Sequence, residues 1–263
     1  MSRDFFFQLG AWTRWGLAAK SWRRTHPPHL FAWFEAMRKP QRHDDLEALR
    51  RRFEQDETPL TATDAGAGSR VAGPRTVGKV ARTALKSARE AGRLARLAEA
   101  MGAERVLELG TCLGLTTAVL SRAGAHVTTV EADPVLAAAA QEGWVRTGCA
   151  DRIEGHVGTF AQCLPGLMER WRHEGHPGFD LIFIDGHHEG TATLGYVEQL
   201  RPWLRDGERP AVIVCDDIRW SPGMWAAWQE LREGWPVAVD LGGSGWLVQG
   251  PRMTPFRRAV RLG

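Results

Sequence analysis

The sequence predicts an α/β protein: a doubly wound sheet with helices on both faces, preceded by a helical N-terminal extension. Three observations predict it. From about residue 76, short β-branched runs alternate with segments of helical period, the pattern of a mostly parallel sheet. Two of these runs, Phe179-Asp-Leu-Ile-Phe-Ile184 and Ala211-Val-Ile-Val-Cys215, are almost wholly apolar, as strands buried on both faces are. Acidic residues stand at or near the ends of successive strands: Glu108, Glu131, Asp185 and the pair Asp216-Asp217.

The elements follow in order. Residues 1–75 read as helical segments interrupted by Pro27-Pro28, Pro40 and Pro59, with Leu46, Leu49 and Phe53 marking an amphipathic helix over 44–56. Residues 76–101 read as a helix or helix pair. A strand over 105–109 leads through Gly110 into a helix over 114–123. A second strand, 126–130, ends at Glu131, and Pro134 opens the next helix. A short strand at 153–157, a helix at 160–172, the strand at 179–184, a helix at 190–204, the strand at 211–215 and a helix from Pro222 to about 232 continue the alternation. Two closing strands, near 236–241 and 245–249, flank the hairpin signal Gly242-Gly243. Domain boundaries are therefore expected at 1–75 for the extension and 76–263 for the sheet domain.

Composition narrows the function classes. The 263 residues carry a formal net charge of only +3, with much of the basic excess before residue 53. Such an early basic stretch reads first as a solvated helix face, and nucleic acid is not the expected partner. The four cysteines, Cys112, Cys149, Cys163 and Cys215, lack CxxC spacing, so neither a zinc site nor a disulfide framework is expected and a reducing, cytoplasmic setting is the simplest reading. No apolar run approaches the ~20 residues that span a bilayer. Trp12, Trp15, Trp22 and Trp33 are candidates for gluing the early helices to the main domain or to a second subunit, which makes a homodimer the expected assembly if one forms.

In open α/β sheets ligands bind outside the carboxyl ends of the strands, which is where these acids fall. The turn Glu108-Leu-Gly-Thr-Cys-Leu-Gly114 could serve either NAD or S-adenosylmethionine. The dinucleotide fingerprint requires a glycine where this chain has Cys112, and the charge of Glu108 opposes a pyrophosphate. S-adenosylmethionine carries a sulfonium and an ammonium instead and tolerates an acidic neighbour. Glu131, 21 residues after Gly110, has the spacing of a carboxylate that accepts hydrogen bonds from ribose hydroxyls.

Taken together, Val106-Leu-Glu-Leu-Gly-Thr-Cys-Leu-Gly114, Val130-Glu-Ala-Asp133, Phe179-Asp-Leu-Ile-Phe-Ile-Asp-Gly-His-His188 and Val214-Cys-Asp-Asp-Ile218 resemble the successive motifs of class I methyltransferases, and within them the O-methyltransferase group similar to catechol and macrocin-type enzymes. The resemblance covers roughly residues 76–249. It implies a seven-stranded sheet of order 3-2-1-4-5-7-6 with the last strand antiparallel. It implies cofactor contacts at Glu108, Gly110, Thr111, Gly114, Glu131, Ala132, Gly158 and Asp185. Family members often carry an Asp after the glycine that follows the third strand; this chain has Gly158-Thr159.

A methyl acceptor must lose its proton. A histidine can take it, or a divalent cation can acidify the hydroxyl. Asp185, Asp216 and Asp217 are hard oxygen ligands suited to Mg2+. The D-x-x-H element at Asp185 and His188 implies a ligand and a base, with His187 as a surface neighbour. A metal-free site with His188 acting alone is the alternative. The expected acceptor is a small molecule, with Trp220, Trp225 and Trp228 as candidate walls or core residues. RNA methylation, a dehydrogenase and a non-catalytic nucleoside-binding module are the competing readings. Asp64-Ala-Gly-Ala-Gly68 mimics a cofactor turn but lacks a preceding strand, so it is expected in a lid or substrate wall.

Overall fold

In a computed structural model of the chain, the structure describes residues 3–25, 27–60, 75–251 and 253–262, with the side chains of residues 3 and 4 left out. The candidate lid at residues 64–70 lies outside the described residues. Among the described residues no helix is long and apolar enough to cross a membrane.

The alternation is built as follows: α1 (Arg3–Ala18), β1 (Lys20–Ser21), α2 (Pro28–Met37), α3 (Asp44–Glu54), α4 (Val77–Thr83), α5 (Ala88–Met101), β2 (Arg105–Leu109), α6 (Leu115–Arg122), β3 (His126–Glu131) and α7 (Pro134–Arg146). Then come β4 (Ile153–Val157), α8 (Phe160–Glu174), β5 (Leu181–Ile184), α9 (Gly190–Leu200), β6 (Ala211–Cys215), α10 (Pro222–Glu233), β7 (Val237–Asp240), β8 (Gly245–Gln249) and β9 (Phe256–Arg261). Helix starts follow local chemistry. Ser87 and Thr159 each close a capping box with the residue three positions on, Glu90 and Gln162, satisfying backbone donors that the first turn leaves open. Asp133 accepts from the amides of Val135 and Leu136 ahead of Pro134. The helix expected to reach 204 gives way after Leu200 to a 3-10 turn over Arg201–Trp203, where Pro202 cannot donate to an α-helical ladder.

Among the described residues the sheet has nine strands, not seven, in the order β1-β9-β7-β8-β6-β5-β2-β3-β4. β8 runs antiparallel to both β6 and β7, and the other pairings are parallel. The two additional strands come from opposite ends of the chain: β9 pairs with β7, and β1 extends the edge beside β9. Both were invisible to pattern reading. β1 is two residues long, and β9 carries Arg257, Arg258 and Arg261 among its apolar positions.

Alternation along the central strands divides the core. Val106, Leu181, Phe183, Val212 and Val214 face α2 and α5, together with Trp33, Phe34 and Trp246. Leu107, Leu109, Ile182, Ile184 and Ile213 face α8 and α9, together with Trp171 and Trp228. A third cluster joins α3 and α4 to α6 and α7 through Phe53, Val80, Leu113 and Trp144. Elements between residues 20 and 54 therefore pack into the same sheet and core as the rest. α1 lies over the β7–β8 turn, where Trp15 Nε1 donates to the Asp240 carbonyl at 3.3 Å and Gln8 donates to the Trp220 carbonyl at 2.7 Å. Under it, Arg219 makes a buried bidentate pair with Asp240, with Nη1–Oδ1 at 2.8 Å and Nη2–Oδ2 at 2.6 Å. Phe5, Phe6, Leu9 and Leu17 remain exposed on α1.

Candidate active site

At the tip of β2 the chain turns sharply into α6. Gly110 has φ +106°, and a Cβ there would come within 2.1 Å of the Asp185 carbonyl oxygen, so only glycine lets this turn close onto the end of β5. Gly114, at φ +70°, starts α6, and its carbonyl accepts from Trp144 Nε1 at 2.9 Å. Between them Cys112 holds φ +52° without being glycine. The other positive-φ residues besides glycine among those described are His187 and Asp217, so all three lie at strand tips on one rim. Such conformations cost on the order of 1–3 kcal/mol each and concentrate where a site is being shaped.

Glu131, at the tip of β3, is tied to this turn. Its Oε2 accepts from the Cys112 amide at 2.8 Å and its Oε1 from the Asp133 amide at 2.9 Å. Burial raises its carboxyl above the ordinary value, with these backbone donors opposing the shift. Each oxygen keeps acceptor capacity for a further donor. Beside it opens a cleft of about 410 Å3, walled by Gly110, Cys112, Glu131, Ala132, Asp133, Leu136, Thr159, Phe160, Asp185, Gly186, His187 and Tyr196. Burial also pushes the Cys112 thiol up, so it lines the cleft as a neutral group.

Four residues expected at the cofactor lie behind this surface rather than on it. Glu108 is fully buried, with Oε2 accepting from Thr117 Oγ1 at 2.5 Å and Thr129 Oγ1 at 2.8 Å. Its Oε1 has no hydrogen-bond partner among the described residues, and burial pushes its carboxyl up to about 7. The cause is its place within β2, a strand covered by helices on both faces, rather than in the turn beyond its tip. Thr111 is buried against Thr129 at 2.6 Å, Gly114 is covered by Trp144, and at Gly158 the wall is supplied by the next residue, Thr159.

The second half of the rim lies at the ends of β5 and β6. His188 Nε2 stands 4.0 Å from Asp185 Oδ1 and 3.8 Å from Asp217 Oδ2. His187, read from sequence as a surface neighbour, instead lines the cleft, and its Nδ1 is 2.8 Å from the Tyr196 hydroxyl. Most consequential is Lys86, which sequence reasoning missed. Its ammonium pairs with Asp216 Oδ2 and lies 3.6 Å from Asp185 Oδ2. Burial alone would lower the lysine, but the Asp185 and Asp216 carboxylates outweigh it and hold it above its ordinary value. Burial raises Asp185 well above the usual carboxylate range, whereas at Asp216 the effect of burial is outweighed by Lys86, which keeps it below.

This arrangement bears on the expected Mg2+ site. Mg2+ requires near-octahedral oxygen ligands at about 2.0–2.1 Å. Asp185 and Asp216 are instead drawn to an ammonium, while Asp217 faces His188. Among the described residues no group of three or more His, Cys, Asp or Glu side chains could hold a metal ion. The residues present do not fit the expected ion. The tryptophans after β6 also divide: Trp228 is core and Trp225 stacks on Arg219 at 4.5 Å, while Trp220 lies 6.1 Å from the His188 ring.

A glycine turn closed on the neighbouring strand, with the next strand's terminal carboxylate bound to that turn, is an arrangement that α/β domains use to bind nucleosides. Residues 107–218 match the family described as a methyltransferase domain. A catechol O-methyltransferase of Mycobacterium tuberculosis is 38% identical over 144 residues, 53% of this chain and 60% of the relative. A catechol O-methyltransferase of Niastella koreensis is 34% identical over 125 residues, 46% of this chain and 52% of the relative. The chain thus spans about half to three-fifths of the length of these curated relatives. Among solved structures, cofactor-bound Rv0187 from MTB superposes with a TM-score of 0.55 at 26% identity, covering 79% of this chain and 89% of that one. The O-methyltransferase from Bacillus cereus in complex with SAH shares the fold with a TM-score of 0.56 at 19% identity, covering 79% and 91%. Over residues 107–218 the chain is thus similar to a methyltransferase domain, and its sheet shares the fold of these solved structures.

Proposed function

We propose that the protein transfers the methyl group of S-adenosylmethionine to a hydroxyl oxygen of a small molecule. The observation that carries this reading is Glu131, whose two oxygens are held by the turn and by the start of α7 with acceptor capacity left on the cleft side. The cleft of about 410 Å3 beside it is of small-molecule cofactor size. In this reading Glu131 holds the ribose hydroxyls, Gly110 and Ala132 present backbone to the nucleoside, and Asp185 lies toward the cationic end. Glu108 acts from behind, as a positioning residue that fixes β2 to Thr117 and Thr129.

Bound there, S-adenosylmethionine would supply an electrophilic methyl to the acceptor oxygen, whose hydroxyl proton must be taken up. His188 receives that proton, oriented between Asp185 and Asp217. His187 and Tyr196 close the cleft wall beside it. The test is a labelled methyl-transfer screen over phenolic, sugar and carboxylate acceptors, with and without Mg2+, paired with calorimetric titration of the demethylated cofactor. Asp185→Ala and His188→Ala are expected to abolish turnover while cofactor binding survives. Full activity in both variants, or no uptake of the nucleoside by the unmodified protein, would overturn the assignment.

A further inference from the structure

The carboxylates at the tips of β5 and β6 already have a cation. We propose that Lys86 takes, from within the chain, the place a divalent ion would hold there: its ammonium contacts the acceptor oxygen and stabilises the negative charge that grows on it as its proton leaves. The proposal rests on the O-methyl-transfer reading above and names the group that readies the acceptor.

Location is the first support. Asp185 stands on the wall of the cofactor cleft, while Lys86 and Asp216 stand on the wall of a second cavity of about 310 Å3. That cavity is lined also by Trp15, Phe183 and Trp246 and by the charged Glu90, Arg93 and Arg261, so it suits a small acceptor with an apolar body and polar substituents. The ammonium therefore sits at the partition between the two, where an acceptor oxygen must be presented to a methyl donor.

Immobilisation is the second. Ser87 starts α5 in a capping box with Glu90, which fixes the backbone immediately after Lys86. Arg50 Nη2, on α3, donates to the Lys86 carbonyl. The side chain is 15% exposed, and its ammonium lies 5.4 Å from the centre of the Phe183 ring. A donor held this way costs little reorganisation when charge develops beside it.

Charge is the third. An ammonium paired with Asp216 and close to Asp185 repels a second cation from the same oxygens, so the site takes either the lysine or the metal. The lysine remains protonated throughout, and the acceptor's proton goes to His188.

The test begins without an acceptor. Mn2+ is titrated by electron paramagnetic resonance into the full-length protein and into Lys86→Met, whose folding is checked by thermal unfolding. The unmodified protein is expected to bind no stoichiometric Mn2+, and Lys86→Met to gain one stoichiometric site. Lys86→Gln, which keeps a donor toward Asp216, repeats the measurement if Lys86→Met does not fold. With the acceptor found by the screen, unmodified turnover is expected to survive a chelator, and Lys86→Met to lose about 10²–10³ in kcat while binding the demethylated cofactor normally. A stoichiometric Mn2+ site in the unmodified protein, turnover abolished by the chelator, or folded variants that gain no Mn2+ site would each overturn the proposal. Absence of methyl transfer to any acceptor would strike the functional reading and leave the Mn2+ result standing on its own.

Discussion

Replacing Glu131 by glutamine separates what its carboxylate does for the fold from what it does for a ligand. In the unmodified protein Oε2 accepts from the Cys112 amide at 2.8 Å and Oε1 from the Asp133 amide at 2.9 Å. A glutamine offers one oxygen and one NH2, so in either amide orientation an NH2 group faces a backbone N–H. Leaving one such donor unpaired costs about 1–3 kcal/mol. For a chain of this size each kcal/mol lowers Tm by about 2–4 °C. The ribose side loses more specifically: one acceptor oxygen disappears and the other loses its charge, together roughly 2 kcal/mol, or about 30-fold in Kd. Isothermal titration of the demethylated cofactor, with thermal unfolding of the free protein, reads both quantities. A Glu131→Gln variant with unmodified Tm and a Kd within about twofold of the parent would refute the placement of the nucleoside at this carboxylate.

Two further outcomes concern stability. Glu108 is buried with its carboxyl pushed up to about 7, so the folded protein holds a proton between its ordinary value near 4.5 and 7 that the unfolded chain has released. Stability from this group is therefore lost as pH rises through that window, by about 3 kcal/mol in all, and Glu108→Gln is expected to gain Tm relative to the parent between the two ends of it; parallel Tm–pH curves would contradict the assignment. Arg219→Met leaves Asp240 buried without its bidentate partner, a loss of about 3–5 kcal/mol, and a Tm fall of roughly 10 °C is expected by calorimetry; an unchanged Tm would show that the pair contributes little.

Periodicity and turn chemistry are local properties, and what they encode was legible from residues alone. The alternating core elements, the burial of the central strands on both faces, the glycine turn at Gly110 and the terminal acids Glu131 and Asp185 all follow from a few neighbouring side chains. Long-range packing decided the rest. β1 and β9 join the sheet only because the chain ends meet at its far edge, which no short window contains. Helices packed on both faces of β2 enclosed Glu108, although its charge suggested the cleft. Nothing distinguishes Lys86 among the 34 lysines and arginines until the fold brings it to Asp216, 130 residues away. The three carboxylates read as ligands for an ion because acids at strand tips need a counter-charge. Whether that charge is a metal or an ammonium depends on which side chain reaches them, and that is a matter of three-dimensional proximity.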